Sequence, residues 1–189
     1  MSKDNAILVA EFIGTFLLTG AVLMGANPFV ALGIIVLLIG GISGAHVNPA
    51  VSAAMASVKK LSVERMVQFW IAQILGAIIA RLLYGYIKGD ASLSYNFTDL
   101  DGKLLVVEIV GTAIFLFGIT AALLHKLDGL KLAVAIGGSL FLGAMFGGVL
   151  NPAVALGNEM VSFYSLIGPV IGGLLGVQIA MVLLNKKLK

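Results

Sequence analysis

The chain has 189 residues, 60% of them hydrophobic and only 11% charged, against about 45–50% and 25% in soluble domains. Twelve basic and nine acidic side chains are too few to clothe a body of this size in polar surface, so most of its exterior faces lipid, which speaks against a soluble enzyme. Cysteine is absent and the net charge is +3. With mean hydropathy +1.09 and pI near 9.2, the basic excess is that of a membrane topology; nucleic acid is not an expected partner.

Six nearly uncharged stretches follow one another at residues 6–26, 28–45, 67–87, 104–124, 132–149 and 164–184. Each is near the roughly 20 residues that cross about 30 Å of hydrocarbon as helix. The first carries Glu11 inside its apolar run and lacks a small-x-small cleavage site, so it is expected to stay as a helix and not to leave as a signal peptide. Lys59, Lys60 and Arg65 follow the second stretch and Lys126 and Lys131 the fourth, with Lys3 at the start and Lys186, Lys187 and Lys189 at the end. The opposite face carries Lys88 and Lys103 beside Asp90, Asp99, Asp101 and Glu159. The positive-inside rule then puts both termini in the cytoplasm of a cell-membrane protein. Arg81, in the outer part of the third stretch, is expected to snorkel outward. Asn96-Phe97-Thr98 fits a glycosylation acceptor but is too short a match to carry weight. His46 and His125 lack metal-ligand spacing, and neither a metal nor a cofactor is expected.

The two halves repeat. Ser43-Gly44-Ala45-His46-Val47-Asn48-Pro49-Ala50-Val51 is answered by Gly147-Gly148-Val149-Leu150-Asn151-Pro152-Ala153-Val154-Ala155. Glu11-Phe12-Ile13-Gly14-Thr15 is answered by Glu108-Ile109-Val110-Gly111-Thr112, and Ala72-Gln73 with Gly76 by Gly168-Pro169 with Gly172. Three spans per half invert the second half relative to the first, so that equivalent segments meet at mid-membrane. The expected fold is an all-α membrane protein of one domain, 1–189, with repeats over about 5–88 and 103–185. It has six transmembrane helices and two re-entrant half-helices of about ten residues, 48–58 and 151–160, each worth roughly 15 Å.

Asparagine favours the N-cap and proline the first helical position, so each Asn-Pro-Ala (Asn48, Pro49, Ala50; Asn151, Pro152, Ala153) opens a helix at the midplane. The two positive dipole ends then disfavour cations, and each asparagine keeps NH₂ donors for a water or hydroxyl oxygen. Irregular backbone at that depth has to line a cavity, so the carbonyls of Gly44, Ala45, His46 and Val47 and of Gly147, Gly148, Val149 and Leu150 make an acceptor ladder. Glu11 and Glu108 lie within apolar spans, where a charge costs about 2.5–3.5 kcal/mol; each is expected to anchor a re-entrant loop through its N–H groups and not to line the path. Ala72, Gly76 and Ala80, like Gly168, Gly172 and Gly176, form stripes for close helix packing.

Together the paired Asn-Pro-Ala motifs, Ala10 to Thr15, Ser43 to His46, Ala72-Gln73 with Gly76, and Gly168-Pro169 with Gly172-Gly173 resemble the aquaporin and glycerol-facilitator family over essentially the whole chain. The resemblance implies one pore per subunit, usually in a homotetramer within the lipid bilayer, passing water and small neutral solutes such as glycerol, urea or ammonia. In that family an arginine normally follows the second Asn-Pro-Ala; here Val154 stands there. Ungapped counting puts the other outer-constriction positions at Gly148, Ser139 and Pro28 or Phe29, which implies a wider, uncharged constriction. An inverted-repeat secondary transporter is the alternative, and it wants an ion site that the loop-bound glutamates do not offer. A hydrolase built on Ser43 and His46 lacks an orienting acid.

Overall fold

Capping side chains and prolines set the helix starts. The computed structural model describes residues 2–90, 92–95, 97 and 101–188; of the positions named above, Asn96, Thr98, Asp99 and Lys189 lie outside the described residues. Among the described residues every regular element is an α-helix: α1 Lys3–Leu23, α2 Pro28–Ser43, α3 Pro49–Ser57, α4 Val63–Lys88, α5 Gly102–Leu124, α6 Gly129–Ala144, α7 Pro152–Gly157 and α8 Phe163–Leu183. Ser2, Asn27, Asn48, Ser62, Asp101, Asn151 and Ser162 each accept an N–H of the first turn, which satisfies donors that lipid cannot. Asp128, ahead of α6, makes no such bond.

Four helices, α1, α4, α5 and α8, have the length and hydropathy of membrane spans, while α2 and α6 are shorter apolar helices. Both short helices depart from the expected bounds. The second stretch stops at Ser43 because Gly44, at φ +89°, turns its N–H back to Gly40. The fifth begins at Gly129 and ends at Ala144, where a turn over Met145 and Phe146 leads to Gly147 at φ +94°. At 16 residues each, or about 24 Å, α2 and α6 leave the rest of the crossing to irregular chain. The half-helices are also shorter than ten residues and unequal, with nine in α3 and six in α7. α7 stops because the Asn158 side chain takes the carbonyl of Val154 and Glu159 adopts φ +57°.

The glycine stripes bring two long pairs together. Gly76 of α4 sits against the backbone of Phe12 and Phe16 in α1, while Gly172 and Gly176 of α8 sit against Ile109 and Ala113 of α5. A Cβ at Gly76 would collide with the Phe12 carbonyl, so Gly76→Ala is expected to lower stability by about 1–3 kcal/mol. Gly20→Ala in α1, where a Cβ meets nothing within 4 Å, should instead stabilise by about 0.5–1 kcal/mol. Thermal unfolding in detergent checks both, and a loss at Gly20 as large as at Gly76 would refute the packing account.

Between the long pairs lies the interior cluster, with Leu18, Leu32, Phe115, Ile119, Leu140 and Leu150 among its buried residues. The outward faces are apolar too: Val30, Leu38, Leu130 and Val134 are all exposed, as side chains in hydrocarbon should be. α3 packs against α8 and α4, and α7 against α4 and α1, so each half-helix is wedged between long ones with its N-terminus directed inward.

Candidate functional site

The two Asn-Pro-Ala turns meet. Asn48 Oδ1 accepts from Ala50 N at 2.8 Å, and Asn151 Oδ1 from Ala153 N at 3.0 Å and Val154 N at 3.3 Å. Each amide nitrogen reaches the other loop: Asn48 Nδ2 donates to the Leu150 carbonyl at 2.8 Å and Asn151 Nδ2 to the Val47 carbonyl at 2.9 Å. Since an amide has two N–H donors, one on each asparagine stays uncommitted. The crossing works because Val47 and Leu150 hold left-handed backbone, φ 42° and 60°, a strained state for any residue but glycine and most of all for the β-branched Val47.

Carboxylates hold these strained residues from behind. Glu11, fully buried, accepts from the Val47 N–H at 2.7 Å, the His46 N–H at 3.0 Å, Ser43 Oγ at 2.7 Å and Gln73 Nε2 at 2.7 Å. Glu108, equally buried, accepts from the N–H groups of Val149 and Leu150, both at 2.8 Å. Gln73 also donates to Ser52 Oγ at 3.1 Å, and Ser52 donates to the Asn48 carbonyl at 3.2 Å. With its proton so used, Ser52 Oγ accepts from His46 Nδ1, 3.2 Å away, leaving Nε2 as an acceptor. Ser43 and His46 therefore form no nucleophile–base pair. Trp70 Nε1 donates to the Pro49 carbonyl at 2.9 Å and ties α4 to the start of α3.

Three cavities lie beside these groups, each sharing lining residues with the next. One of about 210 Å³ opens on the face away from the termini; Pro28, Phe29, Gly148 and Val154 line it, with His46, Asn48 and Asn151 at its floor. A second, of about 190 Å³, shares Leu32, His46 and Phe115 with it and runs along Gly44 and Ala45. The third, about 850 Å³, shares Gly44, His46 and Met55 with the second and opens on the terminal face.

Two expectations need correction. Ser139 is not part of this lining. Its hydroxyl donates to the Ala135 carbonyl at 2.6 Å and its side chain fills the space over Gly118 of α5, so the helix phase presents Leu140 and Ala144 to the cavity. Arg81 does not snorkel: it is 7% exposed, with Nη1 donating to the Asp90 carbonyl at 3.2 Å and Nη2 to Glu159 at 3.3 Å. Glu159 also accepts from the Ser94 N–H at 2.7 Å, so this cluster ties the α4–α5 connection to the end of α7. There the Ser92 hydroxyl and N–H hold the Asp90 carboxyl below its usual range, and burial followed by the Glu159 charge pushes the Tyr95 hydroxyl up. Leu18, Val22 and Met160 also line the outer cavity; nothing separates them in sequence from lipid-facing residues. Gln73 was legible as an uncharged amide in an apolar span.

Residues 20–180 match the family described as major intrinsic protein. The chain is 35% identical to mouse aquaporin-4 over 155 residues, covering 72% of this chain and 48% of that protein. It is 31% identical to Arabidopsis thaliana aquaporin NIP3-1 over 208 positions, 89% of this chain and 64% of the relative. It thus spans about half of the first relative's length and under two thirds of the second's. A probable glycerol uptake facilitator protein of Thermotoga maritima is 29% identical over 230 positions, 92% of this chain and 97% of that one. The crystal structure of the aquaglyceroporin from Plasmodium falciparum superposes with a TM-score of 0.73 at 25% identity, covering 93% of this chain and 95% of the other.

Proposed function

This chain belongs to the major intrinsic protein family, and on that premise we propose that it is a passive channel for water and small uncharged solutes of the glycerol, urea or ammonia class. It works as a homotetramer in the cell membrane with both termini in the cytoplasm, the side favoured by its lysines. The observation that carries the reading is the pair of asparagines facing each other at the floor of the outer cavity, which shares lining residues with the next one inward, each with one amide N–H without a partner among the described residues.

A solute oxygen exchanges water for these N–H donors at mid-membrane, while solute hydrogens are taken by loop carbonyls on either side. A cation gains nothing there: it faces the positive ends of α3 and α7 and loses hydration against apolar walls. Glu11 and Glu108 act as loop anchors, because their oxygens are taken up by loop N–H groups. Bound in this way, the two carboxylates are not free to serve as the ion site of a coupled transporter.

The outer constriction is uncharged, formed by Pro28, Phe29, Gly148 and Val154 with Leu140 in the role sequence counting gave to Ser139. Stopped-flow swelling of proteoliposomes tests the function: water and at least one of glycerol and urea should equilibrate faster than in empty vesicles, without an ion gradient. Rates equal to empty vesicles would refute the channel. Val154→Arg adds a bulky cation with five donors to this cavity, so glycerol and urea flux should fall more than water flux. An unchanged solute-to-water ratio would remove Val154 from the constriction.

A further inference from the structure

We propose that Lys60, Lys126, Lys186 and Lys187 form a binding site for a phosphate group at the terminal-face mouth, and that its occupancy obstructs the passage. All four line the same cavity of about 850 Å³, together with Gly44 and His46 of the pore loop. The acidic groups Asp4, Glu64 and Asp128, near that end in sequence, are not in its lining. Topology alone does not ask for this convergence. Lys3, Lys59, Lys131 and Arg65 meet the positive-inside rule equally well and do not line the mouth.

The convergence has a local cause. α3, α5 and α8 each end at or near a left-handed residue, Lys59 at φ 61°, Lys126 at φ 56° and Asn185 at φ 47°. Each such turn folds the chain back over its helix end: Lys60 N bonds to Met55 O, Leu127 N to Ala122 O, and Lys186 N to Met181 O. Helix C-termini carry about half a negative charge each, which four ammonium groups more than offset. Leu188 packs on the interior cluster and lines the same mouth, so the segment bearing Lys186 and Lys187 is pinned at both ends. The lysines themselves are exposed, free to turn their three donors onto tetrahedral oxygens.

Lys186 and Lys187 also line a side cleft of about 790 Å³ with Lys59, Met181 and Val182 of the α8 flank. They are therefore within reach of a phosphate in solution and of one on a lipid headgroup. An anion across the mouth stands in front of His46 and Gly44, where the passage begins.

Binding is tested on the whole chain in detergent, by equilibrium dialysis against radiolabelled inorganic phosphate at constant ionic strength. Saturable binding is expected, weakened at least about tenfold by Lys186→Gln with Lys187→Gln, since the loss of even one of the two charge-assisted contacts implies that much, and unaffected by Lys3→Gln with Lys131→Gln. Absence of saturable binding, or equal weakening by both double variants, overturns the site. Obstruction rests on the channel reading. Phosphatidylcholine proteoliposomes should pass water at least about twofold more slowly in phosphate than in chloride of equal ionic strength. If phosphatidic acid in the vesicles slows flux in chloride, the headgroup is the source. Flux indifferent to both overturns the obstruction. Vesicles no faster than empty ones in chloride would refute the channel instead, and the dialysis result would stand.

Discussion

Glu11→Ala is expected to lower the stability of the folded chain by about 4 kcal/mol or more, because the buried N–H groups of His46 and Val47 and the Gln73 amide lose their acceptor at about 1–3 kcal/mol each. No water reaches that depth to replace it except through the passage itself. Glu108→Ala should cost roughly half as much, since among the described residues two groups, the Val149 and Leu150 N–H, donate to that carboxylate against four to Glu11. Glu11→Gln preserves volume but turns an NH₂ group toward donors, so it should fall close to Glu11→Ala. Thermal unfolding in detergent distinguishes these cases. Equal melting of the Glu11 and Glu108 variants would refute the donor count, and a changed solute preference at unchanged stability would put the carboxylates in the path.

The second large effect is on flux. Asn48→Asp or Asn151→Asp replaces an amide donor with a carboxylate oxygen lying 2.8 or 2.9 Å from a carbonyl oxygen of the opposite loop. An attraction becomes a repulsion, and a negative charge appears where two helix N-termini would bind a cation to it. Water flux through proteoliposomes should fall about tenfold or more, the equivalent of 1.4 kcal/mol in the barrier. Normal flux in a correctly folded Asp variant would refute the role given to the asparagines.

The elements easiest to find in the sequence were those that lipid dictates. Apolar runs, an asparagine before a proline and a lone glutamate in a hydrocarbon span each have few physical solutions, so six helices, two half-helices and the loop N–H partners of Glu11 and Glu108 followed from residue type, while the Ser43 and Gln73 side chains on Glu11 did not. Lengths were less legible. Nothing in the apolar run 132–149 marks the turn at Met145, and α7 is cut short by an Asn158 side chain that bonds one turn back. Side-chain phase on α6 was the weakest inference: counting from Asn151 crosses a turn whose geometry the count does not contain, and Ser139 came out a position away from Leu140, which lines the cavity. Arg81 failed for another reason. Its partner Glu159 is 78 positions away, and a buried pair between distant loops leaves no local pattern.

The reciprocal asparagine bonds also set a timetable for synthesis. Asn48 and its acceptor carbonyl at Leu150 are 102 residues apart, and at about 5–20 residues per second the ribosome needs roughly 5–20 s to supply the second from the first. During that interval the strained backbone at Val47 exists without its counterpart. Every donor to Glu11 lies in the part already made, from Ser43 to Gln73, so the early loop has a complete brace of its own while it waits. The late loop reaches Leu150 when α5 is already present and the Val47 carbonyl is in position, and two bonds to Glu108 are enough to finish it. The unequal bracing of the two loops thus matches the order in which they leave the ribosome.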